Sequence, residues 1–266
     1  MSGFRLTLRQ QPAGRLDMSG VDAARFAGMS AADVERAELS PGLRLKDVFS
    51  VAGSSGETLT IAGETGRLDF LGAGLAGGTL VVDGPGGAYA GRGMKGGRIE
   101  IKGDAGPFAA SGMSGGLLLI GGSAGDNLGG ARPGEKFGMA GGIVHVSGNI
   151  GARAGDRMRR GTVVAKGTCG PAAGSRMMGG TIWAAGGFGE GPGPLLRRGT
   201  LIGPSAQGIL PTFADCGRHQ LSILAILSRY LADALGPLAP PPIAGPVRRL
   251  AGDMATIGKG ELLLLT

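Results

Sequence analysis

A pair of residues ending in glycine recurs along this chain at a nearly fixed interval, and few folds can accommodate that. Its second members are Gly78, Gly97, Gly116, Gly142, Gly161, Gly180 and Gly199, so five of the six steps are 19 residues and the step from Gly116 to Gly142 is 26. A period near twenty with one seven-residue excess is the signature of a solenoid whose extra residues leave as a loop. Residues 75 to about 203 are therefore expected to form seven stacked coils of a right-handed parallel β-helix, since right-handed crossovers dominate.

The columns of the repeat identify its interior. Two and four residues after the reference glycine stand Leu80/Val82, Ile99/Ile101, Leu118/Ile120, Val144/Val146, Val163/Ala165 and Ile182/Ala184, the alternation of a short strand with one face inward. The position between them holds Val81, Glu100, Leu119, His145, Val164 and Trp183, a mixed set suited to an outer face. Three residues before the reference glycine come Leu75, Met94, Met113, Met139, Met158, Met177 and Leu196, which read as a stacked internal ladder. Burying each is worth roughly 1.5–3 kcal/mol, and a thioether adapts to an irregular axis. Ala90, Ala109, Ala154 and Ala173 mark a second, tightly packed side.

Composition agrees. Glycine accounts for 57 of 266 residues and aromatics for only 4%, while 42% hydrophobic residues argue against disorder. No apolar run has the length of a membrane span, and no signal-peptide stretch opens the chain. Cys169 and Cys216 make neither a disulfide framework nor a metal spacing, which points to a reducing cytoplasm. The net charge of +7 calls for an anionic partner or a more acidic neighbouring subunit, or is simply a solubilising excess.

Three regions follow: an N-terminal cap (1–55), the β-helix (56–210) and a C-terminal helix and tail (211–266). In the first, Leu6 and Leu8 predict a strand, and Ser30 with Asp33 a capping-box start for a helix to about Ala37. The stretch from Glu57 to Ala73 begins the winding with imperfect spacing. In the last, Leu221, Leu224, Leu227, Leu231 and Leu235 predict a helix ended by Gly236-Pro237 and laid over the last coils. Pro240-Pro241-Pro242 reads as an extended linker, and Leu262–Leu265 as a closing strand.

The chemistry-bearing residues are sparse. Gly72-Ala73-Gly74-Leu75-Ala76-Gly77 and Gly91-Arg92-Gly93-Met94-Lys95-Gly96 satisfy the dinucleotide pattern G-x-G-x-x-G. They lie one repeat apart and lead into strands rather than helices, so they are corners and not phosphate cradles. His145 falls in the outward column and is expected at a surface or interface; Cys169 is a small packed corner residue. Cys216 has no evident base, and Asp83, Asp104, Asp126 and Asp156 form no calcium-loop array. No catalytic constellation and no metal site emerges.

The basic residues do cluster. Arg92, Lys95, Arg98 and Lys102 share one coil, Arg153, Arg157, Arg159 and Arg160 another, and Arg176, Arg197 and Arg198 fall in neighbouring columns. Either this is a solvated or subunit-facing edge, or a stripe for an extended polyanion, with Arg92, Lys95, Arg153, Arg157, Arg159, Arg160 and Arg176 as its candidate residues. Nucleic acid fits poorly because stacking aromatics are nearly absent. The seven extra residues must protrude; Arg132, Glu135, Lys136 and Phe137 around the Pro133-Gly134 turn are candidate partner contacts, or belong to a passive loop.

The Gly-Gly-x-Ile-x-Val-x-Gly-x-x-Gly texture and the Gly112-Met113-Ser114-Gly115-Gly116 corner resemble the β-helical domain ending the large subunit of glutamate synthase. Together with the charged insertion before Gly138-Met139 and the tail Gly252-Asp253…Gly258-Lys259-Gly260-Glu261-Leu262-Leu263, they resemble still more the C subunit family of formylmethanofuran dehydrogenase. That resemblance spans essentially the whole chain. It implies a scaffold subunit without its own active site in a one-carbon enzyme complex. One version is a formyltransferase/hydrolase that converts formyl-tetrahydromethanopterin to formate through a formyl-methanofuran-type intermediate, in formaldehyde oxidation by methylotrophs. The other is a tungsten or molybdenum formylmethanofuran dehydrogenase. The Ala-, Gly- and Arg-rich composition favours the first. Implied partners are an amidohydrolase-like subunit, a formyltransferase subunit and a further dehydrogenase-like subunit, with neither nucleic acid nor membrane. Metals and a methanofuran-type coenzyme are expected in the complex, with no cofactor held by this chain alone; a polyglutamyl coenzyme is what the basic stripe would dock.

Overall fold

The computed structural model describes residues 3–265. The fold is mainly β, dominated by one 13-stranded sheet, with a helix (Ser222–Leu235) near the C-terminus. From one edge the sheet runs Phe49–Gly53, Gly3–Leu8, Thr58–Ala62, Thr79–Asp83, Arg98–Ile101, Leu117–Ile120 and Ala140–Val146. It continues through Arg160–Ala165, Met178–Ala184, Arg198–Gly203, Lys259–Leu264 and Val247–Gly252 to Ala214–His219. Every pairing from Gly3–Leu8 to Lys259–Leu264 is parallel. At both edges antiparallel partners take over, a change of direction that ends the open parallel ladder.

The register is the glycine period. Leu80, Ile99, Leu118, Val144, Val163, Ile182 and Leu201 are successive Cα partners, so each aliphatic column stacks on itself. The rest of each repeat is tied to its predecessor in the same way. Gly86, Ala105, Ala124, Ile150, Cys169 and Phe188 form a chain of parallel bridges. A third line joins the N–H of Ala110 to the Ala90 carbonyl (2.8 Å), Gly129 to Ala109 (2.7 Å) and Gly174 to Ala154 (2.7 Å). Inside these walls lies one apolar core that includes Met94, Met113, Met139, Met158 and Met177, all fully buried, as the ladder predicts.

Small polar side chains staple neighbouring repeats. Asp104 accepts from the Ser123 N–H (2.7 Å), the Ser123 hydroxyl from the Asn149 N–H (3.1 Å), and Asn149 from the Thr168 N–H (2.9 Å). Asp126 accepts from the Ala152 N–H (2.8 Å). Asp104 and Asp126 are thus structural acceptors for the next repeat's backbone. Within the second G-x-G-x-x-G motif, Gly91 and Gly93 hold φ of +67° and +62° and lead into the strand Arg98–Ile101, as a corner requires.

The N-terminal segment behaves as its signals predict: the strand Gly3–Leu8 joins the sheet, and the helix Ala31–Arg36 starts at a reciprocal Ser30/Asp33 capping box. The C-terminal helix is capped by Gly236 with φ +55°, and buries Leu224, Leu231 and Leu235. What the repeat misjudges is the outer face. From Leu119 onward the intervening column is not exposed: Leu119, Val164, Trp183, Ile202 and Leu263 form a second core with Leu224, Leu231, Leu235 and Val247. The roof reaches back across Ile143 to Leu119, further than the last coils alone. His145 is accordingly 1% exposed, and its expected surface placement is corrected. Burial first, then the nearby Lys166 ammonium, pushes its pKa down to about 4, against a smaller upward pull from the Leu238 backbone.

Two outcomes follow from this packing. Met158→Ala should lower stability by about 2–5 kcal/mol by opening a cavity, whereas Met178→Ala, at a half-buried outward position, should cost well under half as much; urea denaturation of both variants tests this. Because the folded His145 ring stays neutral to about pH 4 while an unfolded one protonates near its ordinary value, the unfolded chain binds more protons between those limits. Stability should therefore fall as pH drops, by about 3 kcal/mol more than in a His145→Gln variant between pH 7 and pH 4.

Candidate functional site

The position following each buried ladder residue lies on the outside, and its N–H is bonded to the ladder carbonyl of the preceding repeat. Lys95 is held on Leu75 (2.7 Å), Arg159 on Met139 (2.8 Å), Met178 on Met158 (2.7 Å) and Arg197 on Met177 (2.9 Å). One column thus presents Arg159, Met178 and Arg197 in consecutive repeats. Arg157 and Arg176 stand two residues earlier in two of these repeats, both with left-handed φ (+56° and +52°).

The seven-residue insertion closes over this edge. The Met139 N–H returns to the Gly129 carbonyl (2.7 Å), pinching the extra residues into a loop. Contrary to the expected protrusion, the loop folds back and only Pro133, Gly134 and Lys136 are exposed. Glu135 binds the Arg92 guanidinium (2.6 Å), and its carbonyl accepts from Arg157 (2.8 Å). The Arg132 guanidinium lies 5.2 Å from the Tyr89 ring centroid, and that of Arg159 lies 4.3 Å from the Phe137 centroid.

Between the insertion and the late repeats lie two adjoining hollows of about 400 and 310 Å³. Both are lined by Lys136, Phe137, Met178 and Arg197. The larger adds Arg159, Arg198 and Ile257, and the smaller adds Arg157, Arg176 and Leu195. Of these cations only Arg176 has a carboxylate partner: Asp156, 3% exposed, takes Arg176 (2.8 Å) and Arg153 (3.3 Å). Lys136, Arg159, Arg197 and Arg198 enter no ion pair among the described residues. An apolar floor ringed by unneutralised guanidinium groups suits a ligand with several carboxylates and a nonpolar portion.

Of the residues the sequence singled out, Arg157, Arg159 and Arg176 converge here with Lys136 and Phe137. Neither hollow is lined by Arg92, Lys95, Arg153 or Arg160; Arg92 and Arg153 spend their charge on Glu135 and Asp156. Arg197 repeats the Arg159 column two repeats on, and was legible as such. Met178 and Ile257 were not: the first interrupts a cationic column, and the second comes from the loop before the last strand.

Other chemistry is thin. Burial pushes the Cys169 thiol up to about 12, leaving it a packed, protonated group. Cys216 is exposed. Among the described residues no cluster of three or more His, Cys, Asp or Glu could hold a metal ion, and no helix is long and apolar enough to cross a membrane.

No protein-family profile matches the chain. The chain is 48% identical over 262 residues to the C subunit of the formyltransferase/hydrolase complex Fhc of Methylorubrum extorquens, covering 97% of this chain and 98% of that protein. It also superposes, with a TM-score of 0.88 and 36% identity, on one chain of a crystal structure from the same organism, covering 98% of this chain and 99% of that one. That structure is of the formyltransferase/hydrolase complex (FhcABCD) in complex with methylofuran.

Removing the buried carboxylate that organises the arginines should be felt directly. Asp156→Asn is expected to cost about 1.5–3 kcal/mol, the worth of hydrogen bonds to charged groups, read as a lower urea midpoint with unchanged slope.

Proposed function

Since the chain belongs to the C subunit family of the formyltransferase/hydrolase complex, we propose that it is the non-catalytic scaffold of such a complex. The complex would carry formyl groups from tetrahydromethanopterin through a methanofuran-type intermediate to formate, in the cytoplasm, as part of one-carbon metabolism. Its partners would be the remaining subunits: amidohydrolase-like, formyltransferase and dehydrogenase-like chains that hold the metals and the reacting groups. The observation that carries this reading is end-to-end likeness, 97% of the chain at 48% identity, joined to a surface whose concentrated chemistry is cationic rather than acid–base or nucleophilic.

In the same reading residues 56–210 wind as a right-handed parallel β-helix of about seven 19-residue coils. Residues 1–55 cap one end, and 211–266 supply the roof and closing strands. The 19-residue register, resumed after the insertion, and the repeated bridges on a further side of the repeats support the winding.

The basic hollows favour a second role within the scaffold: docking the polyglutamyl portion of a methanofuran-type coenzyme. Their unpaired Arg159, Arg197 and Arg198 and the apolar Met178 and Phe137 are the supporting features.

Co-expression with the genes of the other subunits should yield a complex containing this chain, while the purified chain alone should turn over no formyl substrate. Turnover by the isolated chain would sink the scaffold reading. For the second role, reversing Arg157, Arg159 and Arg197 to Glu in the assembled complex should release bound coenzyme at lower salt than the unmodified complex. Retention unaltered across a salt series would count against it.

A further inference from the structure

The helix Ser222–Leu235 has two apolar faces, and the sheet covers one of them. Leu224, Leu231 and Leu235 are buried, as the roof requires. Ile223, Ile226 and Tyr230, spaced i, i+3 and i+7, are 58%, 63% and 50% exposed. A surface helix usually carries one apolar stripe and turns polar residues to water. Three large apolar side chains in line along two helical turns make a patch, which is more than scattered exposure.

Beside this stripe lies a hollow of about 250 Å³ between the helix and the sheet. Ile223, Ile226 and Tyr230 form its wall, so the hollow opens to solvent through the exposed stripe itself. Thr181, Thr200, Ile202 and Leu263 form the floor. Glu261 is the acidic residue lining it, and both carboxylate oxygens are engaged. The Thr200 hydroxyl donates to one (2.9 Å) and the Arg249 Nε–H to the other (2.9 Å).

The floor dictates the form an occupant takes. Its strands Met178–Ala184, Arg198–Gly203 and Lys259–Leu264 are neighbours inside the sheet, and the last pairs onward with Val247–Gly252. No sheet edge is open here to an extended peptide, which would press unpaired N–H and C=O groups against apolar side chains. A helix satisfies its own backbone, and an apolar stripe of two turns matches the exposed row.

The rim sets the charge. Lys259 stands two residues before Glu261, on the same face of their strand, and Arg198 is its Cα partner. Both are exposed and enter no ion pair among the described residues. On the helix, the exposed Arg229 and Asp233 are opposite in sign and one turn apart. The groups around the groove therefore sum to an excess of positive charge. A second copy of this chain, matched patch to patch, would double that excess within one contact.

We propose that this groove seats an amphipathic helix of a partner subunit. Its apolar stripe packs on Ile223, Ile226 and Tyr230, and a row of Asp or Glu along one flank faces Lys259 and Arg198. The inference rests on the scaffold reading for the existence of that partner, and uses a surface apart from the basic hollows except at Arg198, which lines one of them.

A photoreactive benzophenone side chain in place of Ile226, in the co-expressed complex, tests it. Illumination should join this chain to a partner subunit. Peptide mass spectrometry should map the adduct to a segment with apolar residues at i, i+3 and i+7 and carboxylates along one flank. Ile226→Asp should weaken retention of the chain in the complex by about tenfold or more, as for a residue central to a contact, read by dilution in mass photometry. Lys259→Glu should weaken it about two- to fivefold at low salt and less at high salt. No adduct from a complex that assembles, an adduct with a second copy of this chain, or one with a segment lacking the acidic flank overturns the inference and leaves the scaffold reading standing. If the unmodified chain joins no complex at all, the scaffold reading falls and the inference falls with it.

Discussion

The fold rests on backbone hydrogen bonds between residues one repeat apart. In a parallel stack each N–H and C=O must find its partner in the adjoining layer or be buried unpaired, at a cost comparable to a lost hydrogen bond. The bonds from Ser114 to Met94 (2.8 Å), Arg159 to Met139 (2.8 Å) and Arg197 to Met177 (2.9 Å) show one such line running nearly the length of the sheet. Every side chain inherits its direction from this register. The register stacks each ladder methionine on the ladder residue below it, inside, and keeps the residue that follows it outside. An insertion can survive only if the register resumes unbroken. Here it does, through the Met139 N–H on the Gly129 carbonyl and that of Ala140 on the Met113 carbonyl (both 2.7 Å).

Periodic features were therefore readable from the residues, and features imposed by non-repeating segments were not. The methionine ladder, the aliphatic columns and the corner glycines announce themselves because each layer poses the same steric question and receives nearly the same residue. The column holding Glu100, Leu119, His145, Val164 and Trp183 gives a mixed answer because its surroundings change partway along. Glu100 stands beyond the roof, and Trp183 lies under it at 2% exposure. The leucine stripe of the C-terminal helix showed that something must be covered, but the extent of cover depends on Val247 and on residues 236–238, which carry no repeat signal. His145 followed the column to the wrong environment for this reason. The basic edge was legible only as a cluster. Which guanidinium groups remain free depends on Glu135 and Asp156, acidic residues whose reach across repeats is set by tertiary contacts.

Backbone conformation and electrostatics meet at the insertion. Phe70, Tyr89 and Phe108 hold φ of +58°, +61° and +59°, a region costly for aromatic residues, where glycine would sit without strain. Their rings stack at 4.8 and 5.3 Å, which returns part of that cost. The stack also gives Arg132 a seat on Tyr89, anchoring one end of the insertion. Phe137 under Arg159 anchors the other. Held at both ends, the loop places Glu135 against Arg92 and turns its carbonyl to Arg157. The loop thus quenches the cation of the early repeat and leaves Lys136, Arg159, Arg197 and Arg198 unopposed beside the late ones. A charge pattern that composition spreads over the whole chain is concentrated by seven extra residues into one edge. The stacked aromatics contribute by seating Arg132 on Tyr89, which fixes where the loop begins.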